Sequence, residues 1–372
     1  AKQAIAVTNC TAALHLACLA LGLGPGDEVI VPSLSFVATA NAVRYTGARP
    51  VFADIHSEED LCVSAEAIAA KITPRTRAII VMHYAGYACD MPQIMRLAKE
   101  NDLHVIEDAA HAPGSSLENR ALGTWGVVGC YSFFSNKNMT TGEGGMLATN
   151  DEALSEKLRL LRSHGMTTVT WDRHKGHAWS YDVVAAGYNY RIDEVRSAIG
   201  RVQLEKLAAN NARRQALDEL YVELLDELAP EIGVPFGDHP GQSAYHIRPV
   251  LLPEGKDRRR FMESMKQAGI QTSIHYPPIH KFTDYQGHEI ASNLPITEAV
   301  GAREVTLPLY PQMTEENVKQ RVDRLAQSLE LSEEQKKQVL DYELEAFKTN
   351  QVERQRLQGD REAMRSYMME QR

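Results

Sequence analysis

A carboxylic acid and an amine stand in the middle of this sequence, each just past a short apolar run. The acid is Asp108, in Val105-Ile106-Glu107-Asp108-Ala109-Ala110-His111. The amine is Lys137, which follows Tyr131-Ser132-Phe133-Phe134-Ser135-Asn136 and precedes Thr141-Gly142-Glu143-Gly144-Gly145. Both runs read as strand ends, and open α/β sheets bind ligands outside the carboxyl ends of their strands. A lysine amine buried near cations or phosphate can lose its proton and attack a carbonyl. Pyridoxal phosphate needs such a lysine to hold its aldehyde and an acid beside its ring nitrogen. Lys137 and Asp108 are the candidates for these two roles.

The elements that must position them are predicted by periodicity. Lys2 to Val7, Glu28 to Pro32, Pro50 to Asp54, Arg77 to Met82, His104 to Ile106 and Met146 to Thr149 read as strands. Thr8 to Leu21, Ala38 to Tyr45, Ala65 to Ile72, Met91 to Asn101 and Asp151 to Ser163 read as helices between or after them. This alternation predicts a layered α/β domain with a largely parallel sheet. Ile192 to Leu228 reads as one long helix, with Leu217, Leu220, Tyr221, Leu224, Leu225 and Leu228 on one face. Pro235 to Gln242 is rich in proline and glycine and reads as a connection. Beyond it, Tyr245 to Leu252 and Ile270 to His275 read as strands and Asp257 to Ala268 as a helix. The division expected is residues 1–234, 235–330, and a charged helical tail over 331–372 opened by the capping pair Ser332 and Gln335.

Five pieces of the chain carry a family resemblance. They are Thr8 to Leu14, Pro32 to Asn41, Glu107 to His111, Ser132 to Gly145, and Gly187-Tyr188-Asn189-Tyr190-Arg191. In this order they resemble the sugar aminotransferases of the DegT/DnrJ/EryC1/StrS family. The resemblance implies the pyridoxal-phosphate-dependent transferase fold of type I. That fold has a large domain with a mostly parallel central sheet flanked by helices, and a smaller α+β C-terminal domain. It also implies site residues. The turn at Cys10 and Thr11 would hold the cofactor phosphate together with Ser132, although the family often has glycine where Cys10 stands. Phe36 would stack on the pyridine ring. His111, where many relatives have glutamine, would bond near the phenolic oxygen. Asn189 would reach across a homodimer interface to the neighbour's cofactor phosphate, so that active sites are shared.

Each of these residues also has a structural reading. Thr8 or Thr11 can simply cap a helix, a phenylalanine is most often core, and Ser132 is otherwise an ordinary strand residue. His83 reads as a satisfied core histidine, and Arg191 can equally form a structural ion pair. The polar loop from His164 to Ser180 carries Trp171, Arg173, His174, Lys175, His177 and Trp179, and reads either as solvated or as a contact for a nucleotide sugar.

Composition narrows the function classes. The chain has 372 residues, 44% hydrophobic and 24% charged, with a formal net charge of −9. That is ordinary globular composition and argues against a general nucleic-acid binder, which would show a basic face. The five cysteines lie within the first 130 residues without paired spacing. Neither a metal site nor a disulfide framework is indicated, and a cytoplasmic protein is expected. No apolar run is long enough to span a bilayer. The chain opens on Ala1, and relatives of the resembled family carry a few tens of residues before the Thr8 segment, so either truncation or an altered arrangement is expected.

The function implied by the resemblance is transfer of an amino group from an amino acid, commonly glutamate, to a keto nucleotide-sugar. One alternative is dehydration of a sugar on the same cofactor. Relatives that dehydrate carry histidine at the lysine position, so Lys137 favours transamination. The other alternative is a cofactor-binding regulatory protein without turnover, for which the tail is the only support.

Overall fold

The computed structural model describes residues 1–167, 181–286 and 293–329. The expected tail over 331–372 lies outside the described residues, as do residues 168–180 of the polar loop.

A seven-stranded sheet forms the centre. Its strands are β1 (Gln3–Val7), β2 (Glu28–Pro32), β3 (Arg49–Ala53), β4 (Thr76–Met82), β5 (His104–Asp108), β8 (Val128–Ser132) and β9 (Gly145–Thr149). The short strands β6 (Ser116–Leu117) and β7 (Arg120–Ala121) form a separate hairpin. The spatial order is β1-β9-β8-β5-β4-β2-β3. The pairs β2–β3, β2–β4, β4–β5 and β5–β8 are parallel. β9 runs antiparallel to both β1 and β8. Val29-Ile30-Val31 and Ile79-Ile80-Val81 are fully buried, as strands covered on both faces require.

Helices cover both faces. Helices α1 (Cys10–Ala20), α2 (Ala38–Arg44) and α5 (Glu152–Arg162) share a core with Ile5, Val29, Val31, Ile80 and Leu147. Helices α3 (Ala65–Ala69) and α4 (Met91–Glu100) share another with Ile30, Ile79, Val81 and Val105. Alternate residues of one strand thus enter opposite cores, which is the period of two expected of a strand. Helix α4 shows why these segments settle: Asp90 caps it by accepting from the Gln93 N–H, and Met91, Ile94 and Ala98 form its buried stripe.

The long helix α6 (Glu194–Leu228) runs 35 residues from its Asp193 cap. Leu217, Tyr221, Leu224, Leu225 and Leu228 on its C-terminal half enter a third core. That core is completed by β10 (Arg248–Leu251), α7 (Arg258–Gln267), β11 (Glu304–Leu307) and α9 (Glu315–Ser328), and β10 pairs antiparallel with β11. Helix α8 (Pro295–Arg303) leads directly into β11.

Two expectations need correction. Residues 270–275 do not form a strand; Ser273 alone among them makes a bridge, to Thr306 of β11. The physical reason is at His275, whose N–H is taken at 2.8 Å by the Glu304 carboxylate instead of a ladder carbonyl. At α1, neither Thr8 nor Thr11 is the cap. Asn9 is, its side-chain oxygen accepting from the Ala12 N–H at 2.8 Å.

Candidate active site

Because β2, β4, β5 and β8 are parallel, their carboxyl ends share one edge of the sheet. The segments at and just past those ends are Ser33 to Phe36, His83 to Gly86, Asp108 to His111, and Ser132 to Lys137. The site is built on that edge, as the topology of open sheets favours.

Asp108 ends β5 and is buried. Its Oδ2 accepts from the Thr39 hydroxyl at 2.8 Å and its Oδ1 from the Ala110 N–H at 3.2 Å. The Thr39 hydroxyl, having given its proton to Asp108, accepts from Ser35 at 2.7 Å. Burial raises the Asp108 carboxyl above its ordinary value, while Thr39, Ala110 and the Lys137 amine pull it back. A protonated ring nitrogen beside the carboxylate would complete that compensation.

Lys137 sits in the turn after β8, its N–H donating to the Phe134 carbonyl at 3.0 Å. Burial pushes the amine down to about 8, against the opposing pull of Asp108 and Cys10. Near neutrality a useful share of it is therefore uncharged and nucleophilic. Asp108 and Lys137 thus act on one another across the same space, and Cys10 senses both charges.

Three histidines surround the lysine, and a tyrosine bonds one of them. His111 is buried, and its Nδ1 accepts from the Ala85 N–H at 3.3 Å. A backbone amide can only donate, so in the neutral ring Nε2 carries the proton. Nε2 donates to the Tyr276 hydroxyl at 2.9 Å. The His246 ring centroid lies 4.3 Å from that of His111, and His275 lies 6.3 Å away. Burial and the Lys137 charge keep His111 and His275 below the ordinary histidine range, His275 at about 4.

Phe36 is 55% exposed, not core, with its ring 5.9 Å from that of Tyr276. Ser132 is buried at the end of β8 and pairs with Gly145 on β9. Gly145 in turn meets the first turn of α1: a Cβ there would lie 2.5–2.8 Å from Asn9 C, Asn9 O and Cys10 N. Only a glycine lets Cys10, Thr11 and Ser132 gather at that corner. A helix start with free N–H groups and a serine hydroxyl suits a phosphate. A phosphate corner, a half-buried amine and a buried carboxylate form the donor set that pyridoxal phosphate requires, so the residues present fit that group.

Asn189 lies elsewhere. It is exposed and pairs with Ser163, while its neighbour Tyr190 accepts from the Thr8 N–H at 2.9 Å. His83 is fully buried, bonded through Nε2 to Glu107 at 3.0 Å and through Nδ1 to the Cys89 N–H at 3.2 Å. It is a core histidine. Sequence reasoning missed Thr39, Asn138 and His246; a histidine opening an apolar stretch carries no local signal of what it faces. Among the described residues no group of three or more histidines, cysteines and acids is placed to hold a metal ion. No described helix is long and apolar enough to cross a membrane. All five cysteines are free and buried.

Comparison with known proteins identifies the family and the fold. The family model of the DegT/DnrJ/EryC1/StrS aminotransferases matches residues 1–326. The chain is 39% identical over 326 residues to the spore coat polysaccharide biosynthesis protein SpsC of Bacillus subtilis, covering 86% of this chain and 83% of that one. Among solved structures, the aminotransferase TlmJ from Streptoalloteichus hindustanus superposes with a TM-score of 0.81 at 35% identity, covering 88% of this chain and 86% of that one. DesI, solved in the presence of its TDP-sugar product, superposes with a TM-score of 0.79 at 31% identity, covering 88% and 81%.

Proposed function

We propose a function from one premise: the chain belongs to the DegT/DnrJ/EryC1/StrS aminotransferase family, and so is a pyridoxal-phosphate enzyme of the sugar aminotransferase kind. The reaction is transfer of an amino group from an amino acid, glutamate being the first donor to test, to a keto group on a nucleotide-linked sugar. The observation that carries the reading is the placement of a buried carboxylate, Asp108 at the end of β5, beside the turn after its parallel neighbour β8, where the Lys137 amine stands. The solved relative with a TDP-sugar product supports the nucleotide.

Bound pyridoxal phosphate supplies an electrophilic aldehyde and a ring that accepts electrons. The chain's own residues do the rest. Lys137 Nζ would hold the cofactor and serve as the base that moves a proton on the bound reactants. Asp108 would keep a proton on the ring nitrogen. Cys10, Thr11 and Ser132 hold the phosphate, with first-turn N–H groups of α1 as donors. Phe36 would cover one face of the ring, and His111, bonded through Nε2 to the Tyr276 hydroxyl, would stand near the phenolic oxygen.

Asn189 completes the phosphate site of a second copy. Its exposed position and the exposed apolar residues Val195, Ile199 and Val202 at the start of α6 favour a homodimer that covers both. Five free thiols favour a reducing, cytoplasmic setting. Retention of Lys137, where dehydrating relatives have histidine, favours transamination over loss of water.

The test is mass spectrometry of products after incubation with glutamate and a panel of keto nucleotide-sugars. An aminated sugar nucleotide together with 2-oxoglutarate is expected. Lys137→Ala is expected to lose the near-ultraviolet absorption band of the bound cofactor, and an unchanged spectrum in that variant would refute the lysine assignment.

A further inference from the structure

Asn138 directly follows the reactive lysine, and its side-chain amide can be oriented without ambiguity. The Pro113 carbonyl, which can only accept, takes a hydrogen bond from Asn211 Nδ2 at 2.9 Å. That fixes Asn211 Oδ1 as an acceptor. Asn138 Nδ2 donates to it at 2.8 Å, and to the Ala244 carbonyl at 2.6 Å. Both assignments agree, so Asn138 Oδ1 is the atom turned toward His246 Nδ1, at 2.8 Å. An amide oxygen has no proton to give. His246 Nδ1 must therefore be protonated.

His246 is buried, and its ring is held neutral, well below the ordinary range, by burial first and then by His111, Lys137, Arg214 and His275. A neutral imidazole carries a single N–H. With that proton on Nδ1, Nε2 is a bare lone pair, and it lies 3.4 Å from Lys137 Nζ. His111, whose ring is next to it, has the opposite tautomer and is a donor at Nε2. The two rings therefore have opposite roles, set by a backbone amide in one case and by Asn138 in the other.

We propose that His246 is a positioning residue for Lys137: its Nε2, aimed by Asn138, accepts one Nζ–H and so directs the attacking pair of the amine. This rests on Lys137 being the cofactor-bearing lysine. The other groups that face the amine are Asp108 from β5, Cys10 from α1, and His111 and His275; Arg214 of α6 faces His246, its Nη1 3.1 Å from the His246 carbonyl. Asp108 acts on the amine through charge alone, whereas His246 offers it a hydrogen-bond acceptor. An acceptor bonds an ammonium more strongly than an amine. His246 therefore holds the lysine proton on, and a negative charge placed behind it would hold that proton harder.

The test reads the lysine itself. The full chain, freed of cofactor, is reductively methylated with formaldehyde and cyanoborohydride at pH 6 to 10, and labelling of Lys137 is followed by peptide mass spectrometry. The midpoint of the pH profile, not its plateau, isolates protonation from access. In the unsubstituted chain the midpoint is expected near 8. His246→Leu should move it down, with labelling at pH 7 rising several-fold. Asn138→Asp should move it up, with labelling at pH 7 falling several-fold. His246→Gln, whose amide oxygen can occupy the Nε2 position, should restore the original midpoint. A merely structural role would shift His246→Leu and Asn138→Asp alike or not at all, and either result would overturn the proposal. Nitrogen-15 spectra of selectively labelled holoenzyme give an answer that needs no variant: His246 should have a protonated Nδ1 and a bare Nε2, and the reverse tautomer or an imidazolium would overturn it. Failure here leaves the Lys137→Ala absorption test untouched, so the two assignments fail separately.

Discussion

Glu107 and Asp108 are consecutive residues of β5 whose carboxylates serve opposite sides of the sheet. Glu107 accepts from the Gly123 N–H at 2.6 Å, the Gly126 N–H at 2.7 Å and His83 Nε2 at 3.0 Å. Every one of these is a structural bond to a loop or strand of the fold. Asp108 turns to Thr39 and the lysine. The two acids should therefore respond differently to the same isosteric change. Glu107→Gln sets an amide donor against an N–H that needs an acceptor. The cost of one such buried mismatch is about 1–3 kcal/mol, seen as a lower Tm. Asp108→Asn can keep its oxygen on the Ala110 N–H and donate through its amide nitrogen to the Thr39 hydroxyl, whose own proton then turns to Ser35, so Tm should stay within about a degree or two. Its transamination rate should fall on the order of a hundredfold or more, the scale for removing a preorganised charge partner. Calorimetry and steady-state rates on the two variants check the separation.

The depressed lysine predicts a pH dependence with a definite sign. The uncharged amine is the nucleophile, and burial brings its pKa from the ordinary lysine range down to about 8. Capture of added pyridoxal phosphate by the cofactor-free chain should accelerate as pH rises through about 8 and then level off. At pH 7 it should be about tenfold slower than on the plateau, because one pH unit below the midpoint leaves about a tenth of the amine uncharged. An unperturbed lysine would still be gaining at pH 10. Stopped-flow absorbance distinguishes the two profiles.

Gly145 makes a prediction about binding without chemistry. A methyl group there meets the backbone of Asn9 and Cys10 at 2.5–2.8 Å, where nothing flexible can yield. Gly145→Ala should push the first turn of α1 away from Ser132 while β9 keeps its pairing. The affinity for pyridoxal phosphate should fall at least about tenfold, the equivalent of one lost or lengthened charged hydrogen bond. Fluorescence titration measures it, and an unchanged Kd would count against a phosphate corner at this place.

Much of this was legible in the sequence because it is local. Strand runs such as Ile79-Ile80-Val81 and the stripe of α4 announce themselves by period, and the acid and the lysine stand at strand ends that period alone locates. What periodicity cannot show is which distant residue meets which. Thr39 reaches Asp108 across 69 positions and His246 reaches Lys137 across 109. Their contacts follow from the order in which strands assemble, not from any neighbouring residue. The identity of the helix cap was not legible for a milder reason. Asn9 lies between two threonines, all three can cap, and only the backbone at the turn decides. Residues 270–275 have strand composition, but Glu304 takes the His275 amide that a ladder would need.

The last prediction concerns what holds β10, the strand two residues beyond His246, in place. Arg248 is 1% exposed, and its Nε donates to Asp218 Oδ1 on α6 at 2.6 Å, with Nη2 on the other carboxylate oxygen. Its Nη1 donates to the Pro235 carbonyl at 3.1 Å and Nη2 also to the Tyr87 hydroxyl at 3.0 Å. Tyr87 stacks on Phe236 at 4.2 Å in the core under the large sheet, so one guanidinium joins that core to α6 and β10. Arg248→Met leaves Asp218 buried without its cation, at a cost of about 3–5 kcal/mol. Asp218→Leu in the same background removes the stranded charge and should recover most of that loss, because a buried ion pair and an apolar pair of similar volume differ little in stability. Urea unfolding of the single and double variants measures both steps. If the double variant is no more stable than Arg248→Met alone, the pair is needed for its directed bonds to Pro235 and Tyr87 rather than for its charge.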